Sequence, residues 1–178
     1  MVAARARLDI ATHNLANSSS DGFQRSAARG WLGPRGVRVA EVRVGGQGAL
    51  RRTGRPFDLA IVGAGAFTVR DARGHVVETR NGSFTRERDG FLRDDAGRVL
   101  LANGIPLRVG GAERLDERTD LVPGASVRSG FLEASDVDAI SEMIDVLTAQ
   151  RSFESAEKIV SAIDATRQKA SNDLARLK

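Results

Sequence analysis

The stretch TRNGSFTRERDGFLRDDAGRVLLANGIPL (Thr79–Leu107) alternates short runs of apolar and branched residues with turn residues at nearly regular intervals. Asn81-Gly82, Asp89-Gly90, Asp95–Gly97 and Asn103-Gly104 punctuate it. Glycine accepts positive φ, and Asn and Asp hydrogen-bond their own backbone, so each cluster marks a change of chain direction. GSFTRE (Gly82–Glu87), GFLRD (Gly90–Asp94) and RVLLA (Arg98–Ala102) between them read as strands. Upstream, FDLAIV (Phe57–Val62), AFTVR (Ala66–Arg70) and HVVETR (His75–Arg80) continue the pattern, separated by Gly63–Gly65 and Asp71–Gly74. Short strands at this spacing predict a small antiparallel sheet or barrel-like domain. Asn81-Gly82 carries the strongest hairpin signal, because both residues tolerate positive φ.

Outside this block the period changes. Met1, Ala4, Leu8, Ala11 and Leu15 recur at steps of three and four, one narrow stripe on a helix that ends near Asn17. SSSDG follows as turn chemistry, and Phe23 supplies a lone apolar anchor. Residues 25–55 are rich in Gly and Arg and read as a connector, with only Val37, Val39 and Val42 suggesting a short extended piece. From Ser135 to the end there is neither Gly nor Pro. Ser135 with Asp138 three residues on forms a capping-box variant. Val146, Ala149, Phe153, Ala156, Val160, Ile163, Ala170, Leu174 and Leu177 then hold a seven-residue pattern broken at Arg167. That predicts a helix of about 40 residues, roughly 60 Å long. Its stripe is narrow, Ala-rich and flanked by charge, as in a coiled-coil seam, and it needs a partner helix. The stripe around Leu8 and Leu15 is the candidate.

Composition narrows the function. The 178 residues include 27 Lys+Arg and 23 Asp+Glu, no Cys, no Tyr and two His. Lack of cysteine removes disulfides, thiolate metal sites and cysteine nucleophiles, and His13 and His75 alone offer little to metal or triad chemistry. No apolar run reaches the roughly 20 residues of a membrane span, and the N-terminal MVAARARLDI lacks a signal-peptide core. Charge is uneven. Residues 1–55 hold 10 basic against 3 acidic side chains (net +7), 56–130 hold 11 of each, and 131–178 hold 6 against 9 (net −3). Ends of opposite sign favour association between them. The basic surplus is nearly all arginine and has no aromatic stacking platform beside it, so nucleic-acid binding is not the reading.

Catalytic patterns fail one by one. VGAGAFTV follows a predicted strand, but Thr68 occupies the third glycine position of a dinucleotide loop and the next residues read as strand, so a glycine hairpin is expected. His75 sits beside a turn and His13 on the polar face of the first helix. Carboxylate pairs such as Asp94-Asp95 lie in turns, where acids serve the backbone. No cofactor or metal site is expected, and the chain reads as a non-enzyme.

Three blocks carry a resemblance. RLDIATHNLANSSSDGFQR (Arg7–Arg25) resembles the N-terminal signature of the axial proteins of the bacterial flagellum, the rod and hook group, built on Asn-Leu-Ala-Asn followed by Gly-Phe or Gly-Tyr. Thr53–Leu107 resembles their central block, and SGFLEASDVDAISEMIDVLTAQRSFE (Ser129–Glu154) their C-terminal signature. Asp21 stands where Thr or Pro is usual, and Asp136 where Asn is usual. Between Leu107 and Ser129 the link is shorter than in relatives.

The resemblance implies terminal helices that pair as a coiled coil in an assembled tube, with the β domain outside them. It implies an α+β fold with a discontinuous helical assembly domain (1–24 plus 132–178), a connector (25–55) and a central β domain (56–131). It further implies a structural subunit of the proximal or distal rod in the flagellar basal body, exported through the flagellar type III apparatus. Partners would be itself and other rod and hook proteins, with no nucleic acid and no direct membrane insertion. The assembly interface is expected on Leu8, Ala11, Asn14, Leu15, Asn17 and Phe23, and on Met143, Val146, Ala149, Phe153, Ala156, Val160, Ile163, Ala170 and Leu174. The alternative is a non-flagellar β binding module with a coiled-coil oligomerisation tail. An enzyme acting on the cell wall is a third reading without catalytic support in the residues.

Overall fold

The computed structural model describes residues 2–33, 36–111, 115–116, 118 and 120–176, without the side chains of 2, 32–33, 36–37, 170–171 and 173–176. The chain forms two compact units, one of residues up to 15, 26–43 and from 138 onward, the other of residues 16–25 and 44–137.

The helical unit contains α1 (Val2–Ala16), a hairpin of β1 (Ser26–Gly33) and β2 (Gly36–Arg43), and the 38-residue α2 (Ala139–Arg176). The hairpin is a departure from the expected connector. Its antiparallel register runs from Ser26 opposite Arg43 to Gly33 opposite Gly36, and Val39, Ala40 and Val42 are half-buried, Ala40 and Val42 on one face and Val39 on the other. The hairpin forms in an Arg- and Gly-rich background because its ladder bonds are backbone bonds. The start of α2 also differs from expectation. Asp138 is the cap, its Oδ1 accepting from Ile140 N at 3.2 Å and its Oδ2 from the Ser141 hydroxyl at 2.6 Å. Ser135 instead accepts from Val137 N at 3.3 Å in a turn before the helix. An acid at the N-terminus also meets the positive end of the helix dipole, which the hydroxyl of Ser135 does not.

The β unit holds β3 (Leu50–Arg52), β4 (Leu59–Val62), β5 (Phe67–Arg70), β6 (Val76–Thr79), β7 (Thr85–Arg86), β8 (Leu92–Arg93), β9 (Val99–Ala102), β10 (Ile105–Pro106), β11 (Ser126–Ser129) and β12 (Phe131–Glu133). The main antiparallel sheet has the order β6-β5-β9-β8-β7, with β10 also on β9; β4 pairs with β11 and β3 with β12. Alternation puts Phe67 and Val69 of β5 fully inside, beside Leu59, Ile61, Leu92 and Leu100. Phe67 and Phe84 meet edge to face at 5.5 Å and 87°.

Every expected strand has a counterpart, but the Asn81-Gly82 hairpin does not form. β6 and β7, which it would join, lie at opposite edges of the sheet. Asn81 accepts from Ser83 N at 2.9 Å in a local turn, and Gly82 O accepts from Leu59 N at 2.9 Å. A Cβ on Gly82 would collide with the Leu59 carbonyl, so the glycine serves close backbone approach rather than positive φ. The primed turn occurs instead at Asn103-Gly104, with φ of 47° and 81°, between β9 and β10. Gly63 and Gly65 make no hairpin either. They carry φ of 109° and 128° in a bend that takes the chain from the β4–β11 pair to the main sheet.

Candidate functional site

In the helical unit, one face of each helix is withdrawn from solvent. On α1 it comprises buried Ala11 and Asn14 with half-buried Leu8 and Leu15. On α2 it comprises Glu142, Val146, Ala149, Phe153 and Ala156, spaced four, three, four and three residues apart; Glu142 and Ala149 are buried and the others half-buried. From Val146 to Ala156 this face follows the seven-residue spacing read from the sequence, with Glu142 added at its start. Asn14 joins the helices. Its Nδ2 donates to Glu142 Oε2 at 3.2 Å and to Ser26 O at 2.8 Å, while its Oδ1 accepts from Ser26 N at 3.0 Å. Glu142 escaped the sequence reading because it is polar, yet it lies four residues before Val146 on the same stripe.

Beyond Ala156 the seam is uncovered. Every described side chain from Glu157 to Lys169 is exposed, including Val160 and Ile163. The side chains of Ala170 and Leu174, and Leu177 altogether, lie outside the described residues. Met143 stands off the seam and exposed, near a second apolar strip of Ile140, Ile144 and Leu147, all more than half exposed. That strip too was missed, although its spacing of four and three is visible in the sequence. This apolar surface is left uncovered in the helical unit, and among the described residues no helix is long and apolar enough to cross a membrane.

Asn17 and Phe23 belong to the β unit, where the two terminal signature blocks meet through backbone bonds. Asn17 organises the Ser-rich turn, accepting from Ser20 N and from the Ser20 hydroxyl, each at 3.1 Å. Gly22 N donates to Glu133 O at 2.7 Å, Asp136 N to Phe23 O at 3.3 Å, and Arg25 N to Asp136 Oδ1 at 2.6 Å. The acceptor role at Asp136 needs only a carbonyl-type oxygen, so an Asn at this position would serve equally. Gly22 has φ of 69°, and a Cβ there would strike the Arg80–Asn81 peptide, which explains the glycine before Phe23. Asp21 pairs with Arg51 at 3.1 Å.

Among the described residues no group of three or more His, Asp or Glu is placed to hold a metal ion. His75 Nδ1 lies 3.0 Å from Asp71 Oδ2 on an exposed turn, and His13 Nδ1 lies 3.9 Å from Glu41. Asp138 is held below the usual carboxylate range by the Ser141 hydroxyl and the Ile140 N–H, as suits a cap that must stay ionised.

Residues 128–173 match the family described as flagellar basal body rod FlgEFG protein C-terminal. That span takes in β12 and most of α2 with its seam. Over nearly the whole chain there is similarity to the flagellar basal-body rod protein FlgG of Agrobacterium fabrum, 24% identical over 92% of each chain. The rod protein FlgF of Caulobacter vibrioides is 28% identical over 88% of this chain and 86% of its own. The flagellar hook protein FlgE of Brucella abortus is 34% identical over 59% of this chain but only 29% of its own. The alignment to the Agrobacterium protein runs over 241 positions against 178 residues here, so that relative carries sequence this chain lacks. These relatives favour the rod reading over a non-flagellar binding module.

Proposed function

We infer that this chain, a member of the flagellar rod and hook protein family, is a structural subunit of the bacterial flagellar basal-body rod. It is not an enzyme; its place is the basal body, and its partners include other rod and hook proteins. The finer proposal is that subunits polymerise through their terminal helices. The observation that carries it is the continuation of the α2 seam beyond Ala156, where Val160 and Ile163 stay exposed at the spacing of the buried positions before them. A seam that runs on past its covered half is satisfied by helices of neighbouring copies.

Polymerisation into a shaft needs a heterologous contact that does not close on itself, made by two different surfaces of one subunit. The basic N-terminal third and the acidic C-terminal segment supply surfaces of opposite sign, which orient successive subunits head to tail. Delivery by the flagellar type III apparatus accords with a chain that has no cysteine and so no disulfide to form before assembly.

The test is genetic and biochemical together. Deleting the gene should abolish swimming, and basal bodies purified from a strain expressing an epitope-tagged copy should contain the chain at rod stoichiometry. Normal motility of the deletion strain, with tagged protein absent from basal bodies, would return the reading to the binding module.

A further inference from the structure

Asn14 and Glu142 occupy positions where a polar group is costly unless fully bonded, for each is only 1% exposed. The amide of Asn14 is saturated on the side facing β1, donating to Ser26 O and accepting from Ser26 N as a neighbouring strand would. Its second N–H reaches the carboxylate of Glu142, 128 residues away in sequence. One side chain thereby fixes the first residue of the hairpin and the first turns of α2.

The rest of the seam discriminates weakly between registers. Ala149 and Ala156 are one heptad apart, and Ala11 faces solvent no more than they do, so sliding α2 by one heptad sets Ala156 where Ala149 stood and leaves a small side chain there. Apolar burial changes little under such a slip. Polar satisfaction changes, because the bond between Asn14 and the Glu142 carboxylate is broken.

We propose that Asn14, Ser26 and Glu142 form a register key that admits α1 and α2 in one alignment and couples that alignment to the ordering of β1. All three are positioning residues of a single chain, so the proposal does not depend on the rod reading and is tested on the isolated protein. If it is right, a subunit presents its uncovered seam at one fixed height, which a helical polymer of identical subunits needs.

The absence of cysteine makes the test direct, since Cys introduced at exposed Thr12 on α1 and exposed Ser152 on α2 takes spin labels without background. Pulsed dipolar spectroscopy should give one narrow distance in the parent protein and in Glu142→Gln, which keeps an oxygen acceptor for Asn14. In the double variant Asn14→Leu/Glu142→Leu helicity should persist, because an apolar pair replaces the polar one without loss of burial. Its distance distribution should nonetheless split, with components displaced along the helix by about one heptad, roughly 10.5 Å. Amide exchange at Ser26 and Ala27 should rise about tenfold or more as the hairpin loses its anchor. A purely stabilising role would leave the double variant with one unchanged distance, and that result overturns the proposal. A parent protein without a defined distance overturns it equally. If the double variant does not fold, Asn14→Ala is measured in the same way: splitting supports the key and a single unchanged distance overturns it.

Discussion

Arg80 and Glu133, 53 residues apart in sequence, meet as a buried ion pair in which Arg80 Nε lies 3.1 and 2.9 Å from the two carboxylate oxygens of Glu133. The side chains are 6% and 2% exposed. The remaining guanidinium nitrogens donate to Gly65 O at 2.7 Å and Gly63 O at 3.2 Å, and Glu133 Oε1 also accepts from Gly48 N at 2.9 Å. One pair therefore holds the connection after β6, the glycine bend after β4, the segment before β3 and the end of β12. The favourable geometry and full bonding answer the desolvation that a buried pair incurs.

Breaking that pair from one side should be severe. Glu133→Leu strands the Arg80 charge and is expected to lower the stability of the β unit by about 3–5 kcal/mol. Adding Arg80→Met should restore part of the loss, since it removes the stranded charge but leaves the Gly48 N–H and the carbonyls of Gly63 and Gly65 without partners. Urea midpoints of the three proteins check this; a single variant as stable as the parent rejects it.

Gly82 makes a second prediction on a different physical ground. Gly82→Ala places a methyl group into the Leu59 carbonyl, and the β4 backbone must move to admit it. A loss of about 3 kcal/mol or more is expected, the size typical of forced backbone strain in a core. Gly97→Ala is the comparison, because Gly97 has φ of 75° but no atom near the added Cβ. There only the left-handed conformation resists, at about 1 kcal/mol. Thermal melts that show equal losses at the two positions would refute the close-approach account.

Much of this architecture was legible before the structure. Period two between Phe57 and Ala102 located the strands, and the three-and-four spacing from Val146 onward located the seam of α2, because both signals report which side chains face inward. The failures share a cause. Asn81-Gly82 has the composition of a hairpin, but strand order is set by which edges pair, and turn chemistry is blind to a glycine required by a passing carbonyl. β3 and β12 are three residues each and pair across almost the whole unit, which local pattern does not report. Residues 25–55 contained a hairpin whose apolar positions are diluted by Arg and Gly. At the candidate site the sequence points to Asn14 as an interface residue but not to Ser26 or Glu142, because an apolar period does not register a polar partner even where, as at Glu142, the spacing fits.

Acid should loosen specific corners of the molecule. Asp89 is held below the ordinary carboxylate range by the Phe91 N–H and Arg93, Asp120 by Arg118, and Asp138 by the Ser141 hydroxyl and Ile140 N–H. Each is more acidic folded than unfolded. The stability they contribute is thus fully present above the unfolded value of about 3.9 and is lost as pH falls through the lower folded values. Stability should be flat with respect to these groups from pH 5 to 8 and decline below about pH 4. Asp138→Asn keeps an oxygen acceptor for Ile140 N while removing the titration, so the first turn of α2 should exchange its amides equally fast at pH 3 and pH 5 after correction for intrinsic rates. An acid-induced opening that persists unchanged in Asp138→Asn would place its origin elsewhere.

The last prediction separates folding from assembly. Ile163 is 46% exposed on the uncovered part of the α2 seam, while Leu59 is fully buried in the β core. Ile163→Asp should leave the unfolding of the isolated chain within about 0.5 kcal/mol of the parent, as expected for an exposed helical site without partners. In the polymer the same change puts a carboxylate into an apolar helix contact, at about 3 kcal/mol or more per subunit. Every subunit carries it, so incorporation should fail rather than weaken. Leu59→Asp should behave in the opposite order, losing the folded β unit before assembly is reached. The measurements are a melting curve for each purified variant and its recovery in basal bodies from a deletion strain. Should Ile163→Asp assemble and restore swimming at the parental level, the continuing seam of α2 is not the polymer contact, and the proposed route of assembly through the terminal helices is lost.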